Sequence, residues 1–282
     1  MARKSKSSRT VQHWLNVIKS YETEFKPWQQ RVEKIIKRYR DEKRLDNAEN
    51  PAVKFNILWA NVQTLVPATF ARLPQPDVSR RFSDRDPVGR VAALILERAL
   101  DFEIQHYRDY RSTMRQSVTD RFLGGRGTAW VRYEPHIKAG AVQQGPEGDQ
   151  ITEDVSDPEE ELDYECAPVD YVHWKDFGHT VARTWEEVTA VWRKVYMTKK
   201  ACIARFGKEK GEKIPLDASP EDLKRDDRSN PEMQDHQRAC VYEIWDKENE
   251  EALWLSKSMK QILDRKPDPL ELEDFFPCPQ PL

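Results

Sequence analysis

What this chain of 282 residues lacks narrows its chemistry first. Its four cysteines, Cys166, Cys202, Cys240 and Cys278, stand 36, 38 and 38 residues apart, and no CxxC pair is present to close a zinc site. They read as reduced thiols of an intracellular protein, because a chain of this length does not depend on disulfide staples. No run of 18 apolar residues occurs, so no membrane span is expected, and the basic opening MARKSKSSRT lacks the apolar stretch of a signal peptide behind it. A global excess of positive charge is missing as well. The 46 Lys and Arg against 49 Asp and Glu leave a formal net charge of -3, too little to hold phosphates without sequence preference. Any contact with nucleic acid has to be local.

Catalytic signatures are equally scarce. There is no GxSxG, HExxH or kinase-like set. The glycine-rich FLGGRGTAW lacks the Lys-Ser/Thr pair of a phosphate loop, and it runs from helix to strand where such a loop runs from strand to helix. It reads as a helix stop and a tight turn. The stretch CAPVDYVHWKDFGH gathers Cys166, Asp170, His173, Asp176 and His179. On an extended strand, positions 170, 174 and 176 share one face and 173 and 179 the other, which makes no ready metal constellation. Cys166 and His173 are also seven positions apart, too far for a nucleophile and its base unless the strand folds back. No enzyme, cofactor or metal site is expected.

What is there is charge, helix formers and tryptophan. Charged residues make up 34% of the chain and hydrophobic ones 38%, a polar surface that suits an elongated or multi-subunit protein better than a compact enzyme. The length allows one large domain or two modest ones. Residues 1–44 hold 13 Lys and Arg against 5 acids, a local +8. Within them Trp14, Ile18, Tyr21, Phe25, Trp28, Val32, Ile35 and Tyr39 recur at spacings of three and four, predicting a long amphipathic helix that Pro27 should bend or restart. Its basic face, including Lys34, Lys37, Arg38 and Arg40, is suited to DNA or an acidic partner, although a solvated face is the ordinary reading. After Asn50-Pro51, a second helix carries Phe55, Leu58, Trp59, Val62, Leu65, Val66, Thr69 and Phe70 around more than half its circumference, the pattern of a strut buried on several sides. Pro67 predicts a kink in it, and Pro74 and Pro76 its end.

A third helix is predicted from Pro87 with Val91, Leu94, Ile95, Ala99, Phe102 and Ile104 on its apolar face, and a fourth that stops at Gly124-Gly125. The period then changes to that of strands. GTAWVRYEP, ECAPVDYVHWKDF and AVWRKVYMT alternate, and ACVYEIWDKENEEALWLSK predicts a hairpin turning at 246–251. RTWEEVT predicts a short helical turn capped by Thr184, and TKKACIARFG a helix stopped at Gly207. An acidic insertion over 147–165, ten acids and no base, reads as an extended segment between strands. The class is α+β, with long N-terminal helices (1–125) packed on a mixed, mainly antiparallel sheet (126–282). The core is expected to hold Trp14, Phe55, Leu58, Trp59, Val62, Leu65, Phe70, Leu94, Phe102, Trp130 and Trp245.

Seven blocks in order resemble a known family. KFNILWANVQTLVPATFARLPQPDV, GRGTAWVRYEP, VDYVHWKDFGH, ARTWEEV, RKVYMTK, EIWDK followed by LWLSK, and DPLELEDFFPCPQPL are similar to the N-terminal part of portal proteins of tailed bacteriophages, of the short-tailed type. The resemblance implies a homo-oligomer, a dodecameric head-to-tail connector ring in the virion. The ring would occupy one capsid vertex, where double-stranded DNA passes during packaging and ejection. Major capsid protein, scaffolding protein, terminase and tail adaptor are the implied partners, and the subunit itself is implied to be structural. In such a subunit residues 1–282 correspond to the outer wing, with the stem, clip and crown absent from this stretch. Two other readings compete: a nucleic-acid-binding module using the basic N-terminal helix, and a metal-dependent nuclease built on the acidic insertion or on the Asp170 to His179 cluster.

Overall fold

The computed structural model describes residues 10–42, 55–80, 86–106, 109–138, 161–218 and 238–280. The chain divides into two units. The first comprises Met1–Ala71, Met114–Trp130 and Tyr171–Leu282; the second comprises Arg72–Thr113 and Val131–Asp170.

In the first unit, α1 (Val11–Tyr39) opens at Thr10, whose hydroxyl accepts a hydrogen bond from the His13 amide at 3.3 Å. The helix continues through Pro27 instead of restarting there. One missing amide bond is outweighed by burial on both sides of it, through Trp14, Ile18 and Tyr21 before the proline and Val32 and Ile36 after it. The buried stripe ends on Ile36, while Ile35 is exposed, because 3.6 residues per turn carry the stripe from Val32 to its i+4 neighbour. Asn56 caps α2 (Ile57–Thr69) by accepting from the Trp59 amide at 3.0 Å, and its amide nitrogen donates to the carbonyls of Arg38 and Tyr39 at 3.1 and 3.0 Å. The start expected at Asn50-Pro51 lies outside the described residues. Pro67 falls in the last turn of α2, and the helix ends before Pro74 is reached.

The sheet of this unit is antiparallel throughout, in the order β5-β6-β7-β8-β9. Its strands are β5 (Phe177–His179), β6 (Ala190–Met197), β7 (Ala239–Asp246), β8 (Glu251–Ser256) and β9 (Ile262–Pro267). The predicted hairpin is β7 and β8, with Asp246 opposite Glu251 and its carboxylate accepting from the Asn249 side chain at 2.7 Å across the turn. Alternation assigns the two faces. Ala190, Trp192, Tyr242, Ile244, Leu253 and Leu255 pack against Trp14, Ile18 and Tyr21 of α1. On the opposite face Val191, Trp245 and Ala252 cluster with Trp130, Phe177, Val188, Phe275 and Phe276. Farther along that face, Val241 and Ala239 meet Cys202 of α5 (Lys199–Lys213), together with Ile214 and Leu263. β7 is buried along nearly its whole length because both of its faces are covered. Gly207, where α5 was expected to stop, has φ 79°, and helix resumes beyond it to Lys213.

Helix α4 (Tyr110–Gly124) ends at the predicted glycine pair, with Gly125 at φ 82°. The expected strands are shorter and more numerous than the alternation suggested. GTAWVRYEP yields β1 (Thr128–Val131) and the start of β2 (Glu134–Lys138). ECAPVDYVHWKDF yields β3 (Glu161–Cys166), β4 (Val169–Val172) and the first residue of β5. Pro168 offers no amide to a ladder, and the Asp176 amide turns back onto the His173 carbonyl at 2.8 Å. β1 pairs with β4, and β2 with β3. RTWEEVT is a single 3-10 turn, Trp185–Glu187, whose Thr184 makes no side-chain cap.

The second unit holds α3 (Pro87–His106), the β2–β3 pair and the extended residues 72–80. Residues 139–160, most of the acidic insertion, lie outside the described residues. Its last five residues, 161–165, which include Glu161, Asp163 and Glu165, belong to β3.

Candidate functional site

Helix α1 turns two of its acids toward the sheet and its bases away. Glu33 pairs with Lys175 at 2.7 Å and Glu22 with Lys194 at 3.5 Å. Lys34, Lys37 and Arg38 are exposed, and Arg40 is half-buried 3.6 Å from Glu42. The exposed Lys19, Lys26 and Arg31 extend the same basic surface. Lys37 and Arg38 lie in the last turn, where cations also oppose the negative end of the helix dipole. These bases gather on the outer surface of α1, and its geometry suits an acidic or phosphate-bearing partner that lies along it.

Arg126 was not singled out from sequence, and it organises the inner side of the same helix. Its Nη2 donates to the Tyr21 hydroxyl at 2.9 Å and to the carbonyls of Trp174 and Phe177, both at 3.2 Å. The guanidinium carbon sits 4.6 Å from the Trp28 ring centre and 5.1 Å from that of Phe177. Trp28 donates in turn to the Gly124 carbonyl at 3.0 Å. The glycines around Arg126 make this possible. A Cβ on Gly127 would stand 1.9 Å from the Ser117 carbonyl oxygen, so only glycine lets the turn close against α4. FLGGRGTAW is therefore a structural clasp of α1, the end of α4 and the start of β5. The signal in sequence was an arginine held between glycines just before the strand that carries Trp130.

The Cys166 to His179 cluster is dispersed among separate partners. Cys166 donates to the Glu134 carbonyl at 3.6 Å, and Asp170 binds Arg132 through both oxygens at 2.6 and 3.2 Å. Asp176 accepts from the Tyr196 hydroxyl at 2.9 Å. His173 is pushed down to about 4 by burial, with the charges of Lys175 and Arg40 adding to it. His179 is lowered by burial and stacks edge-on to Tyr21 and Phe25. Among the described residues no three His, Cys, Asp or Glu side chains converge as metal ligands.

Two buried polar pairs escaped the sequence reading because each joins strands or helices far apart in the chain. Arg193 and Glu243 are register partners on β6 and β7, 2.7 Å apart. The Trp245 indole donates to the other Glu243 oxygen at 3.1 Å, and Arg193 lies over Trp130. Asp120 on α4 accepts from the Tyr171 hydroxyl at 2.6 Å, and burial pushes its carboxyl up to about 6. Both arrangements lie inside the first unit.

The residues expected in the core divide sharply. Trp14, Val62, Trp130 and Trp245 are buried, and Leu58 and Phe70 are partly so. Phe55, Trp59, Leu65, Leu94 and Phe102 are exposed, Phe55 by 75% and Trp59 by 50%. The helix expected to be buried on several sides is covered on one only, where Val62 and Val66 meet Val32 and Ile36. Hydrophobicity around a helix states what it is able to bury, and packing supplies a partner for one side alone. No protein-family model and no curated protein matches this chain.

Proposed function

We propose that this chain is the outer, wing-forming part of a phage portal subunit, a structural element of the ring through which double-stranded DNA is packaged and released. The seven ordered blocks from Lys54 to Leu282 carry the reading. The fold is compatible with it: helices pack on a mainly antiparallel sheet, and the conspicuous His, Asp and Cys side chains are engaged within the protein. A conduit also has to let DNA slide. A chain with little net charge avoids the salt-dependent grip that many neutralised phosphates would create. Terminase, capsid and tail proteins would meet other parts of the ring or this outer surface.

The test is electron microscopy of the complete gene product containing these residues, averaged without imposed symmetry. Annular particles with a central hole of duplex width, about 20 Å or more, support the reading. Compact monomers or dimers overturn it. The outward basic face of α1 favours one further reading, a DNA-binding module. In that case affinity for duplex DNA would fall steeply with salt and be lost when Lys34, Lys37, Arg38 and Arg40 are neutralised together. Binding that is absent or insensitive to salt removes it.

A further inference from the structure

Helix α3 has 20 residues and none of them is buried. Val88, Ile95 and Phe102 follow one another at intervals of seven and are 74%, 63% and 55% exposed. Ala92 and Ala99, also exposed, stand between them, so the stripe reads 4-3-4-3. This is the spacing on which a second helix seats side chains, with the alanines as holes and the larger residues as knobs. A loop or a flat sheet has no such period. Val91, Leu94, Leu96 and Leu100 are exposed as well, to either side of the stripe, and an exposed apolar run of this kind marks an interaction site.

Residues 139–160 and 219–237 are poor in large apolar side chains, with Val142, Ile151 and Val155 in the first and Leu223 and Met233 in the second, all among many acids and other polar groups. One described helix does offer a matching surface. Ile57, Asn61, Thr64 and Ala68 of α2 recur at 4-3-4 on its exposed side, with Leu65 beside them, and no charged residue occurs in the 13. The other helices have Lys or Arg on their exposed sides, and docking them on an apolar stripe would strip water from a charge.

We propose that a second copy of this chain covers the Val88, Ile95, Phe102 stripe of α3, and that it does so with the charge-free face of its α2. This rests on the ring reading above and deepens it. Two different faces meeting head to tail form a heterologous contact, the type that closes into rings.

The experiment uses the complete gene product and compares wild type with Ile95→Asp and Ile95→Leu by mass photometry and circular dichroism. The expected result is assembly by wild type and Ile95→Leu. Ile95→Asp should keep its helicity and need about 100-fold more protein, or more, to assemble. A second variant, Thr64→Cys with Ala99→Cys, should give ladders of cross-linked oligomers with a short thiol cross-linker, while each single variant stays uncoupled at these sites. If Ile95→Asp assembles like wild type, or the double variant links only within one chain, the inference is overturned while annular particles leave the ring reading standing. Dimers linked by Ala99→Cys alone overturn the α2 pairing. A monomeric wild type overturns both.

Discussion

Helices α1 and α3 are both amphipathic and both rich in large apolar side chains, yet one is the seam of a core and the other lies open. Trp14, Ile18 and Tyr21 of α1 sit on a sheet face already filled by Trp192, Ile244 and Leu255. On α3 no residue reaches that condition. The difference is the partner surface. Five paired strands give α1 a broad apolar floor, whereas the second unit supplies a two-stranded pair and an extended segment, too little surface to bury a helix of 20 residues. Stability is therefore concentrated in the first unit, and substitutions of equal size should separate the two.

The sharpest contrast is Trp14→Ala, which empties a site of zero exposure and should cost about 3 to 5 kcal/mol in chemical denaturation. Val91→Ala on α3, at a half-exposed position, should cost well under about 1 kcal/mol. Equal losses would erase the distinction between the units. Next comes Arg193→Met, which strands the Glu243 carboxylate inside the sheet and should also cost about 3 to 5 kcal/mol. Adding Glu243→Leu should restore much of that loss, and failure to do so would show that the pair is not isolated from its surroundings.

A smaller effect separates two groups near α4 by pH. Asp120 is raised from 3.8 to about 6 in the folded protein, so the folded state binds its proton more readily. Its contribution strengthens folding below about 4 and is lost as pH rises through 6. His173 is lowered from 6.5 to about 4, so its contribution is present above 6.5 and is lost as pH falls through 4. The two oppose each other across the same window. Asp120→Asn should make stability fall more steeply on acidification from pH 6.5 to 4, and His173→Asn should make it rise, each by on the order of 2 kcal/mol. Parallel pH profiles for wild type and both variants would disprove the opposition. The smallest effect is expected of Trp59→Ala. With half its surface in water it should cost about 1 kcal/mol, and a loss of 3 or more would mean that its exposed side is covered in solution.

Much of the fold was legible because it rests on local rules. The Gly124-Gly125 stop, the 246–251 hairpin and the period of α1 all follow from residue type and spacing, whereas the Thr10 and Asn56 caps were not named from sequence. The misreadings share another cause. Pro27 was expected to interrupt α1, Gly207 to end α5, and Pro168 was passed over in a run that looked like one strand. In the first two cases burial on either side outweighed the local preference. In the third the alternation of neighbours masked a missing donor. The basic surface of α1 was visible as a charge excess, but that Glu22 and Glu33 face inward depends on where Lys194 and Lys175 lie.

Sequence by itself determined the α+β class, the order of helices before sheet, and most of the buried stripe of α1, because turn chemistry and periodicity act over a few residues. Only the tertiary structure decided that Arg126 closes a cage of Tyr21, Trp28 and Phe177, that Arg193 meets Glu243, and that α2 and α3 keep apolar faces in water. Those outcomes depend on surfaces brought together from distant parts of the chain. A residue's hydrophobicity carries no information about whether such a surface arrives.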